Sequence, residues 1–216
     1  MKIKTVIFDL DGTLLDTIGD LAAAVNFGLR SHGYPERTVD EVRRFVGNGV
    51  RNLILRSLNG AETPDFNEVF ADFKKYYSEN NAVLTVPYPG ITELLRVLKD
   101  NGIGTAIVSN KYDAAVKALN AHYFGDLIPV AIGEKEGVSR KPAPDSVLLA
   151  MKELNADPAS TVYVGDSEVD VETAKNAALP CLTVTWGFRD REVLREAGAD
   201  AFFDTVNELK KAILSE

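Results

Sequence analysis

The sequence predicts an α/β protein in which a doubly wound parallel sheet is interrupted by an inserted, all-helical domain. Short runs of β-branched and aromatic residues alternate with segments of helical periodicity, and this alternation is typical of parallel sheets. It stops between Asp16 and Asn81, where only helical patterns occur. Several apolar runs end directly at acidic or hydroxyl residues. Because ligands of such sheets bind at the carboxyl ends of the strands, these polar residues are the first candidates for a functional site.

The first part of the chain predicts one strand and then a set of helices. Residues 6–8 form a buried strand that stops at Asp9. Thr38 and Glu41 form a capping-box pattern, which indicates the start of a helix. Helical patterns cover residues 21–29, 38–46, 50–58 and 64–77. We therefore predict the following division: residues 1–14 and 83–216 as the α/β catalytic core, and residues 15–82 as a helical cap domain.

The rest of the chain returns to the alternation of strands and helices. A helical pattern at residues 91–98 is closed by Gly102. Further strands are predicted at residues 103–108, 128–132, 161–164, 181–185 and 201–203, with helices between them, including one that begins at residue 113 and one that begins near residue 145. Since parallel strands need such helical crossovers, the core is expected to be Rossmann-like.

The composition is that of a globular protein, with 45% hydrophobic and 26% charged residues among 216. A formal net charge of -8 opposes binding to nucleic acid or an anionic membrane, because phosphate backbones are bound through clustered Lys and Arg. Cys181 has no second cysteine to pair with, which favours a reducing compartment. The first strand follows Met1 closely, and no uncharged apolar run reaches the length of a membrane span, so we expect a cytoplasmic protein without a signal peptide.

Two acids lie at the end of the first strand. Asp9 ends the strand, and Asp11 and Gly12 leave it in a turn, which is expected to aim both carboxylates at one small space. Two carboxylates about 4 Å apart repel each other by about 1 kcal/mol in water and by about 4 kcal/mol at an effective dielectric of 20. A cation is therefore expected between them. Asp-Gly is also a common turn dipeptide, so this pair alone does not establish a site.

The segment from Asp9 to Asp16 resembles the first motif of the haloacid dehalogenase superfamily of phosphatases and phosphotransferases. Three later motifs of that family are matched in order by Ser109 after a core strand, by Lys141 within residues 139–144, and by Asp166 with Asp170 after the strand at residues 161–164. Singly, each motif has an ordinary structural alternative, such as a helix cap or a surface loop. Together they cover nearly the whole chain, strongly in the core and weakly in the cap.

The resemblance implies a role for each matched residue. Asp9 would be the nucleophile that forms an aspartyl-phosphate, and Asp11 would be the general acid and base. The substrate phosphate would bind to Ser109, Asn110 and Lys141, and the Lys141 ammonium would offset the repulsion between two anions. The expected small-molecule substrate is a phosphate monoester.

The resemblance to the family also implies Mg²⁺ as the cofactor. Magnesium takes oxygen ligands in octahedral geometry and keeps several waters, so two carboxylates and one carbonyl suffice. The resemblance makes Asp9 and Asp166 direct ligands and assigns the carbonyl oxygen of Asp11 to the metal. It places Asp170 outside the direct ligands.

Two other classes of site have partial matches. Residues 165–169 come close to a serine-hydrolase nucleophile elbow, but the closing glycine is missing and both histidines, His32 and His122, precede Ser167. Residues 47–49 could begin a dinucleotide-binding fingerprint, yet Asn52 takes the place of the third glycine in a helical context. The expected alternative for residues 47–49 is a turn between cap helices.

Within the superfamily, Asp11 favours phosphoryl chemistry, because a dehalogenase releases halide and needs no acid at that position. A hexose-phosphate mutase or a broad sugar-phosphate phosphatase stays open, since these use the same four motifs and differ mainly in the cap. A non-enzymatic binding or regulatory protein on this scaffold would be expected to lose Asp9 or a metal ligand, and both are present.

The cap carries the evidence on the substrate. Residues 45–51 resemble the cap loop of the phosphoglycolate phosphatase subfamily, which makes 2-phosphoglycolate the leading substrate. The substrate-binding residues predicted here are Gly47, Asn48, Gly49 and Arg51. We expect the Arg51 guanidinium to pair with the substrate carboxylate. The alternative is a solvent-facing arginine, with Arg43, Arg44 and Arg56 as other candidates. Monomer and homodimer both stay open.

One segment departs from the family pattern. Relatives often have glycine after the helix that follows the fourth motif, whereas this chain has residues 176–179 with the sequence Asn-Ala-Ala-Leu. Glycine is the usual residue for the left-handed conformation that ends a helix. The sequence therefore weakens the expectation of such an ending here, although none of the chemistry depends on it.

Overall fold

A computed structural model describes residues 2–47, 49–60 and 63–215, and the chain divides into two compact units. The α/β unit comprises Met1–Leu15 and Pro87–Glu216, and the helical unit comprises Asp16–Val86. In the described residues the strands are β1 (Thr5–Phe8), β2 (Leu15–Asp16), β3 (Val86–Pro87), β4 (Gly104–Tyr112), β5 (Val130–Glu134), β6 (Thr161–Gly165), β7 (Cys181–Val184) and β8 (Phe202–Phe203). The α-helices in the same ranges are α1 (Ile18–Ser31), α2 (Val39–Phe45), α3 (Val50–Ser57), α4 (Phe66–Asn80), α5 (Ile91–Asp100), α6 (Asp113–Tyr123), α7 (Asp145–Leu154), α8 (Glu168–Asn176), α9 (Arg191–Glu196) and α10 (Val206–Leu214).

Six strands form one parallel sheet in the order β5-β4-β1-β6-β7-β8. The chain moves outward from β1 through β4 and β5, then returns to the other side of β1 and continues through β6, β7 and β8. The direction of winding therefore reverses at β1, and the predicted doubly wound fold is confirmed. At such a reversal the carboxyl ends of neighbouring strands open a crevice in which ligands bind.

Helices cover both faces of this sheet. Val6 and Phe8 of β1 point into one apolar cluster, which also holds residues of α5 and α10. Ile7 points to the opposite face, into a second cluster that includes residues of α7. All four residues of β1 are buried, so this strand is packed on both faces. Burial on both faces explains the uninterrupted apolar run in the sequence.

The helical unit has its own apolar core, which α1, α2, α3 and α4 share. Gly28 lets α1 approach α4 closely, because a Cβ atom at this position would lie 2.8 Å from the Val69 carbonyl oxygen. The predicted capping box is present, since the Thr38 hydroxyl accepts from the Glu41 N–H at 3.2 Å and the Glu41 carboxylate accepts from the Thr38 N–H at 2.8 Å.

A buried carboxylate marks the end of the helical unit. Asp20 in α1 accepts hydrogen bonds from the backbone N–H groups of Val83, Leu84 and Thr85 at 2.9–3.1 Å and from the Thr85 hydroxyl at 2.8 Å. Residues 83–85 consequently belong to the helical unit, whereas the sequence division assigned them to the core. A sequence pattern does not show this link because it joins positions more than sixty residues apart.

The strand at the second motif is longer than predicted. Its apolar run ends at Val108, but β4 continues to Tyr112, where it pairs with Glu134 of β5. The pairing register between β4 and β5 shifts between Val108 and Tyr112. Polar residues 109–111 therefore lie in an irregular strand end, between the β5 pairing of Val108 and that of Tyr112.

The end of α8 corrects the expectation for residues 176–179. Ala178 adopts the left-handed conformation with φ of 55°, and the N–H of Leu179 bonds to the carbonyl oxygen of Ala174 at 2.9 Å. The helix thus ends as a glycine-terminated helix would, but with alanine in the left-handed position. No helix in the described ranges is both long and apolar enough to span a membrane.

Candidate active site

The candidate site lies at the carboxyl ends of three adjacent strands. Phe8 of β1 pairs with Ile107 of β4 on one side and with Val164 of β6 on the other. Asp9 therefore follows the central strand of the three, and its N–H donates to the Val164 carbonyl oxygen at 2.9 Å. The register of the sheet brings residues that are far apart in the sequence to one edge.

A buried lysine joins two of the predicted acids. The Nζ atom of Lys141 donates to Oδ1 of Asp9 at 2.8 Å and to Oδ1 of Asp170 at 2.8 Å. It also donates to the Tyr163 hydroxyl at 3.0 Å, and that hydroxyl donates to Asp170 at 3.0 Å. The Lys141 side chain is 4% exposed and that of Asp170 is fully buried. This lysine therefore fixes two carboxylates of the site.

Asp166 lies beside them and is held by the loop after β7. Its Oδ1 accepts from the Thr13 hydroxyl at 2.9 Å, and its Oδ2 accepts from the backbone N–H of Phe188 at 2.8 Å. Gly12 and Gly187 leave the room that this carboxylate needs, because a Cβ atom at either position would collide with it. The two glycines are required by close packing around the acid.

The charges in this cluster explain its proton affinities. Burial raises the pKa of Asp9 well above its ordinary value, and the neighbouring Asp170 and Asp166 raise it further, against the opposing effect of Lys141. Burial, with Asp170, raises the pKa of Asp166 to about 7. Burial alone would lower the pKa of Lys141, but Asp170 and Asp9 outweigh it, and the pKa lies well above the ordinary value. Lys141 is therefore a cation.

The same cluster fits a divalent metal ion. Asp9, Asp166 and Asp170 each offer a carboxylate oxygen, and these oxygens all lie within 4.8 Å of one another. Two oxygens on opposite sides of Mg²⁺ are about 4.2 Å apart, given bonds of about 2.1 Å. When all three acids are ionised, their carboxylates and the Lys141 ammonium leave two negative charges, which a divalent cation would balance. Hard oxygen donors are also the ligand type that Mg²⁺ prefers.

The cation expected between Asp9 and Asp11 is replaced by two separate lysines. Whereas Asp9 bonds to Lys141, Oδ1 of Asp11 accepts from Nζ of Lys111 at 2.8 Å. The Lys111 side chain is 7% exposed and the Asp11 side chain 18%. The three-acid group does not include the Asp11 carboxylate. The Asp11 carboxylate therefore bonds to a lysine of the neighbouring strand β4, and the Asp9 carboxylate bonds to a different lysine.

The second motif contacts the third through Asn110. The Asn110 side chain accepts from the Lys141 N–H at 2.8 Å and donates to the Lys141 carbonyl oxygen at 3.0 Å. This pair of bonds holds the backbone that carries the buried lysine. Ser109 is also buried, and its hydroxyl accepts from the Lys111 N–H at 3.2 Å. Ser109, Asn110 and Lys141 are thus brought together.

The fourth motif has a structural role as well as a place in the site. Ser167 caps α8, and its hydroxyl and N–H donate to Oδ2 of Asp170 at 2.5 and 3.0 Å. Both oxygens of Asp170 are therefore engaged, one by this cap and the other by Lys141 and Tyr163. The cap accounts for Ser167 without a serine-hydrolase role.

Several contacts were not predicted from the sequence. Thr13, Tyr163, Phe188 and Lys111 bind the acids of the site, yet none was among the candidate residues. The signal for Tyr163 was a phenol hydroxyl between two valines of a buried strand, since a buried tyrosine hydroxyl needs a partner. Lys111 follows Ser109 and Asn110 directly in the segment that matches the second motif, but no role was assigned to it. Phe188 bonds to Asp166 through its backbone N–H, and no side-chain pattern identifies such a donor.

The predicted cap residues lie in the helical unit. Gly47 and Gly49 have positive φ angles of 121° and 88°, and α3 begins directly after Gly49. Asn48 lies outside the described residues. The Arg51 guanidinium lies over the Phe66 ring at 4.5 Å from its centroid, and Arg56 donates to the carbonyl oxygens of Phe45 and Gly47 at 2.6 and 3.2 Å. Arg56 therefore stabilises the turn that precedes α3 through these two hydrogen bonds.

Comparison with known proteins agrees with this geometry. The sequence-family model of the haloacid dehalogenase-like hydrolases matches residues 6–184 of this chain. The chain belongs to this family, so the predicted membership and the hydrolase class are confirmed. It is 34% identical to phosphoglycolate phosphatase 1 of Pseudomonas aeruginosa over 213 residues, covering 95% of this chain and 78% of the relative. It is 35% identical to the phosphoglycolate phosphatase of Aquifex aeolicus, covering 86% of each chain.

A crystal structure from Lactobacillus delbrueckii subsp. bulgaricus is also similar. The name of that Lactobacillus protein describes it as a proposed phosphoglycolate phosphatase. The TM-score is 0.95 and the sequence identity is 37%, with all of both chains covered. The similarity includes both the α/β unit and the helical unit, since the whole chain is matched.

Proposed function

We propose that this protein is a magnesium-dependent phosphatase of small phosphate monoesters and that 2-phosphoglycolate is its leading substrate. The observation that carries the proposal is the cluster of Asp9, Asp166 and Asp170, in which the buried Lys141 forms ion pairs with Asp9 and Asp170. The names of the relatives support the choice of 2-phosphoglycolate.

In the proposed reaction Asp9 is the nucleophile. A carboxylate oxygen of Asp9 attacks phosphorus, the bond from phosphorus to the ester oxygen breaks, and Asp11 donates a proton to the leaving alkoxide. Water then attacks the aspartyl-phosphate, Asp11 accepts a proton from the water, and inorganic phosphate leaves with the Asp9 carboxylate restored. The two steps replace one difficult displacement with two easier ones.

The other residues of the site supply charge and orientation. Lys141 contacts Asp9 and would stabilise the negative charge that develops on the phosphoryl group. Asp9 and Asp166, with the carbonyl oxygen of Asp11, would hold Mg²⁺, and Asp170 would orient Lys141. Magnesium would supply Lewis-acid stabilisation of phosphate oxygens. Ser109 lies at the same strand edge and would bind a phosphate oxygen through its hydroxyl.

For selectivity we infer that Arg51 binds the substrate carboxylate, with Gly47, Asn48 and Gly49 forming the adjacent backbone. Stacking on Phe66 restricts the orientation of the guanidinium. A planar guanidinium can bind a carboxylate through two parallel hydrogen bonds. Arg56 bonds to the carbonyl oxygens of Phe45 and Gly47, which gives it a role in holding this turn.

The test is phosphate release from a panel of monoesters by the purified protein with magnesium. The panel contains 2-phosphoglycolate, glucose 1-phosphate, glucose 6-phosphate and p-nitrophenyl phosphate. We expect the highest kcat/KM for 2-phosphoglycolate, and reversible loss of activity on exhaustive chelation. Full activity in a protein shown by elemental analysis to be metal-free would contradict the magnesium site. Preference for a sugar phosphate would reassign the substrate, and isomerisation without phosphate release would indicate a mutase. The absence of turnover with every ester would favour a binding protein.

A further inference from the structure

The α/β unit buries a second lysine that the proposed reaction does not use. The Lys111 side chain is 7% exposed and its ammonium is 2.8 Å from Oδ1 of Asp11. Removing an ammonium from water costs several kcal/mol, and a buried ion pair is weak evidence for stability. The burial of Lys141 is accounted for by its ion pairs with Asp9 and Asp170, whereas the ammonium of Lys111 bonds to the acid that the mechanism requires to move protons.

We propose that Lys111 is a positioning residue that holds the Asp11 carboxylate in its working orientation for proton transfer to and from the ester oxygen. The proposal rests on the proposed function, because it assumes that Asp11 is the general acid and base. Proton transfer requires the donor within hydrogen-bond reach of the leaving oxygen. A carboxylate with free rotation would hold this geometry only part of the time.

The backbone around Asp11 explains why a partner from another strand is needed. Asp11 lies beyond the end of β1, in a turn where the Gly12 N–H bonds to the Leu15 carbonyl oxygen at 2.8 Å. Lys111 projects from β4, which pairs directly with β1 in the sheet. The hydroxyl of Ser109 accepts from the Lys111 N–H, which adds a local constraint on the backbone. The ammonium is thus anchored on the sheet, while the acid lies in a loop.

The dependence of the rate on the leaving group separates this role from a structural one. An alkoxide is a strong base and leaves poorly without a proton, whereas a nitrophenolate leaves readily. A variant that disturbs only the Asp11 orientation should therefore slow an alkyl ester much more than an aryl ester. A variant that merely loosens the fold should slow both to the same extent.

The experiment compares Lys111→Met, Lys111→Arg, Asp11→Ala and the double variant Lys111→Met with Asp11→Ala, using 2-phosphoglycolate and p-nitrophenyl phosphate with magnesium. We expect Lys111→Met to lower kcat at least about tenfold for the alkyl ester and less than about threefold for the aryl ester, with KM little changed. Lys111→Arg should recover part of the loss. The double variant should be no slower than Asp11→Ala, because residues that act through one group are not additive.

The matched control is Lys117→Met. Lys117 forms an ion pair of 2.7 Å with Asp113 at the start of α6, but its side chain is 58% exposed. Its loss should leave both rates within about twofold of the wild type, as expected of an exposed pair. Thermal unfolding of every variant is measured in parallel, and Lys111→Arg retains the charge if Lys111→Met folds poorly.

Each contrary outcome has a distinct meaning. Equal losses for both esters with a raised KM would make Lys111 a ligand of the substrate phosphate and would overturn the proposal. A double variant slower than Asp11→Ala by the full effect of Lys111→Met would do the same, because the two residues would then act independently. If Asp11→Ala itself affects both esters equally, the assigned role of Asp11 is wrong. A wild-type protein that hydrolyses neither ester would overturn the proposed function and the role of Lys111 with it.

Discussion

The α/β unit and the helical unit bury different kinds of residue. In the helical unit the buried cluster is aliphatic and aromatic, and residues such as Val25, Leu29, Ile54 and Phe73 account for it by ordinary packing. Among the described residues of the α/β unit, five charged ones are buried together with the apolar core, namely Asp9, Lys111, Lys141, Asp166 and Asp170. Since burial of charge is costly and a hydrophobic replacement is often as stable, the charges in the α/β unit indicate chemistry.

Asp20 shows that a buried acid by itself does not indicate a site. It is 2% exposed, but its carboxylate accepts from three successive backbone N–H groups and one hydroxyl. These donors satisfy the acid and hold the end of the helical unit. The acids of the α/β unit instead lie against one another, and burial together with the neighbouring carboxylates raises the pKa of Asp9 and of Asp166. Mutual repulsion, and not burial alone, distinguishes the candidate site.

The largest expected effect is on Asp9, the proposed nucleophile in the α/β unit. Asp9→Asn should reduce turnover of every phosphate ester to background, because an amide cannot form the aspartyl-phosphate. The measurement is phosphate release, together with acid trapping of the wild-type protein with phosphate-labelled substrate. Exposed Asp200 provides the control variant, Asp200→Asn, which should be fully active. Trapped label on a residue other than Asp9 would end the assignment.

A smaller loss is expected at the proposed general acid. Asp11→Ala should slow hydrolysis of an alkyl phosphate by about 10²–10⁴-fold, the usual contribution of positioned proton transfer. An aryl phosphate should lose much less, since its leaving group needs no proton. The check is the ratio of kcat values for the two esters in the variant and in the wild type. An unchanged ratio would show that Asp11 does not transfer a proton to the leaving group. It would also weaken the interpretation that the charges of the α/β unit indicate chemistry.

In the helical unit the expected effect is on selectivity. Arg51→Ala should lower kcat/KM for 2-phosphoglycolate at least about tenfold, equivalent to about 1.4 kcal/mol, because a carboxylate loses its partner. A neutral alkyl phosphate of similar size should be spared. Arg44→Ala, at an exposed position of α2, is the matched control. If both esters lose activity together, or neither does, Arg51 does not bind the carboxylate.

The smallest effect concerns stability of the α/β unit. Ala178 is exposed and left-handed, and a residue other than glycine in that conformation costs about 1–2 kcal/mol. Glycine also makes the unfolded chain more flexible, which lowers the free energy of unfolding by about 0.4–1 kcal/mol. The relief of strain outweighs this loss, so Ala178→Gly should raise the free energy of unfolding by about 0.5–1 kcal/mol.

Chemical denaturation and thermal unfolding measure this change, which corresponds to about 2–4 °C in Tm for each kcal/mol. Ala177→Gly is the control, because Ala177 is right-handed with φ of -83° and should lose stability on the same exchange. Destabilisation by both variants would show that Ala178 is not strained.

The sequence by itself determined the fold class, the family and the place of two acids of the candidate site. A buried parallel strand has an uninterrupted apolar run, so the strand that ends at Asp9 and the strand that ends before Asp166 were recognisable from local residues. Both acids lie at the edge of the sheet where they were expected. The capping box of Thr38 and Glu41 also formed as predicted, because its partners are three residues apart.

Only the tertiary structure decided which charges meet. Lys111 bonds to an acid 100 positions away, and Lys141 joins Asp9 and Asp170 across 132 and 29 positions. The sheet register and the crossover helices set these distances, and no local pattern encodes them. For the same reason the left-handed Ala178 was not predicted, since packing of the helix end can hold a residue in a conformation that its own preference opposes. Local periodicity specifies elements, whereas long-range packing specifies the partners of their side chains.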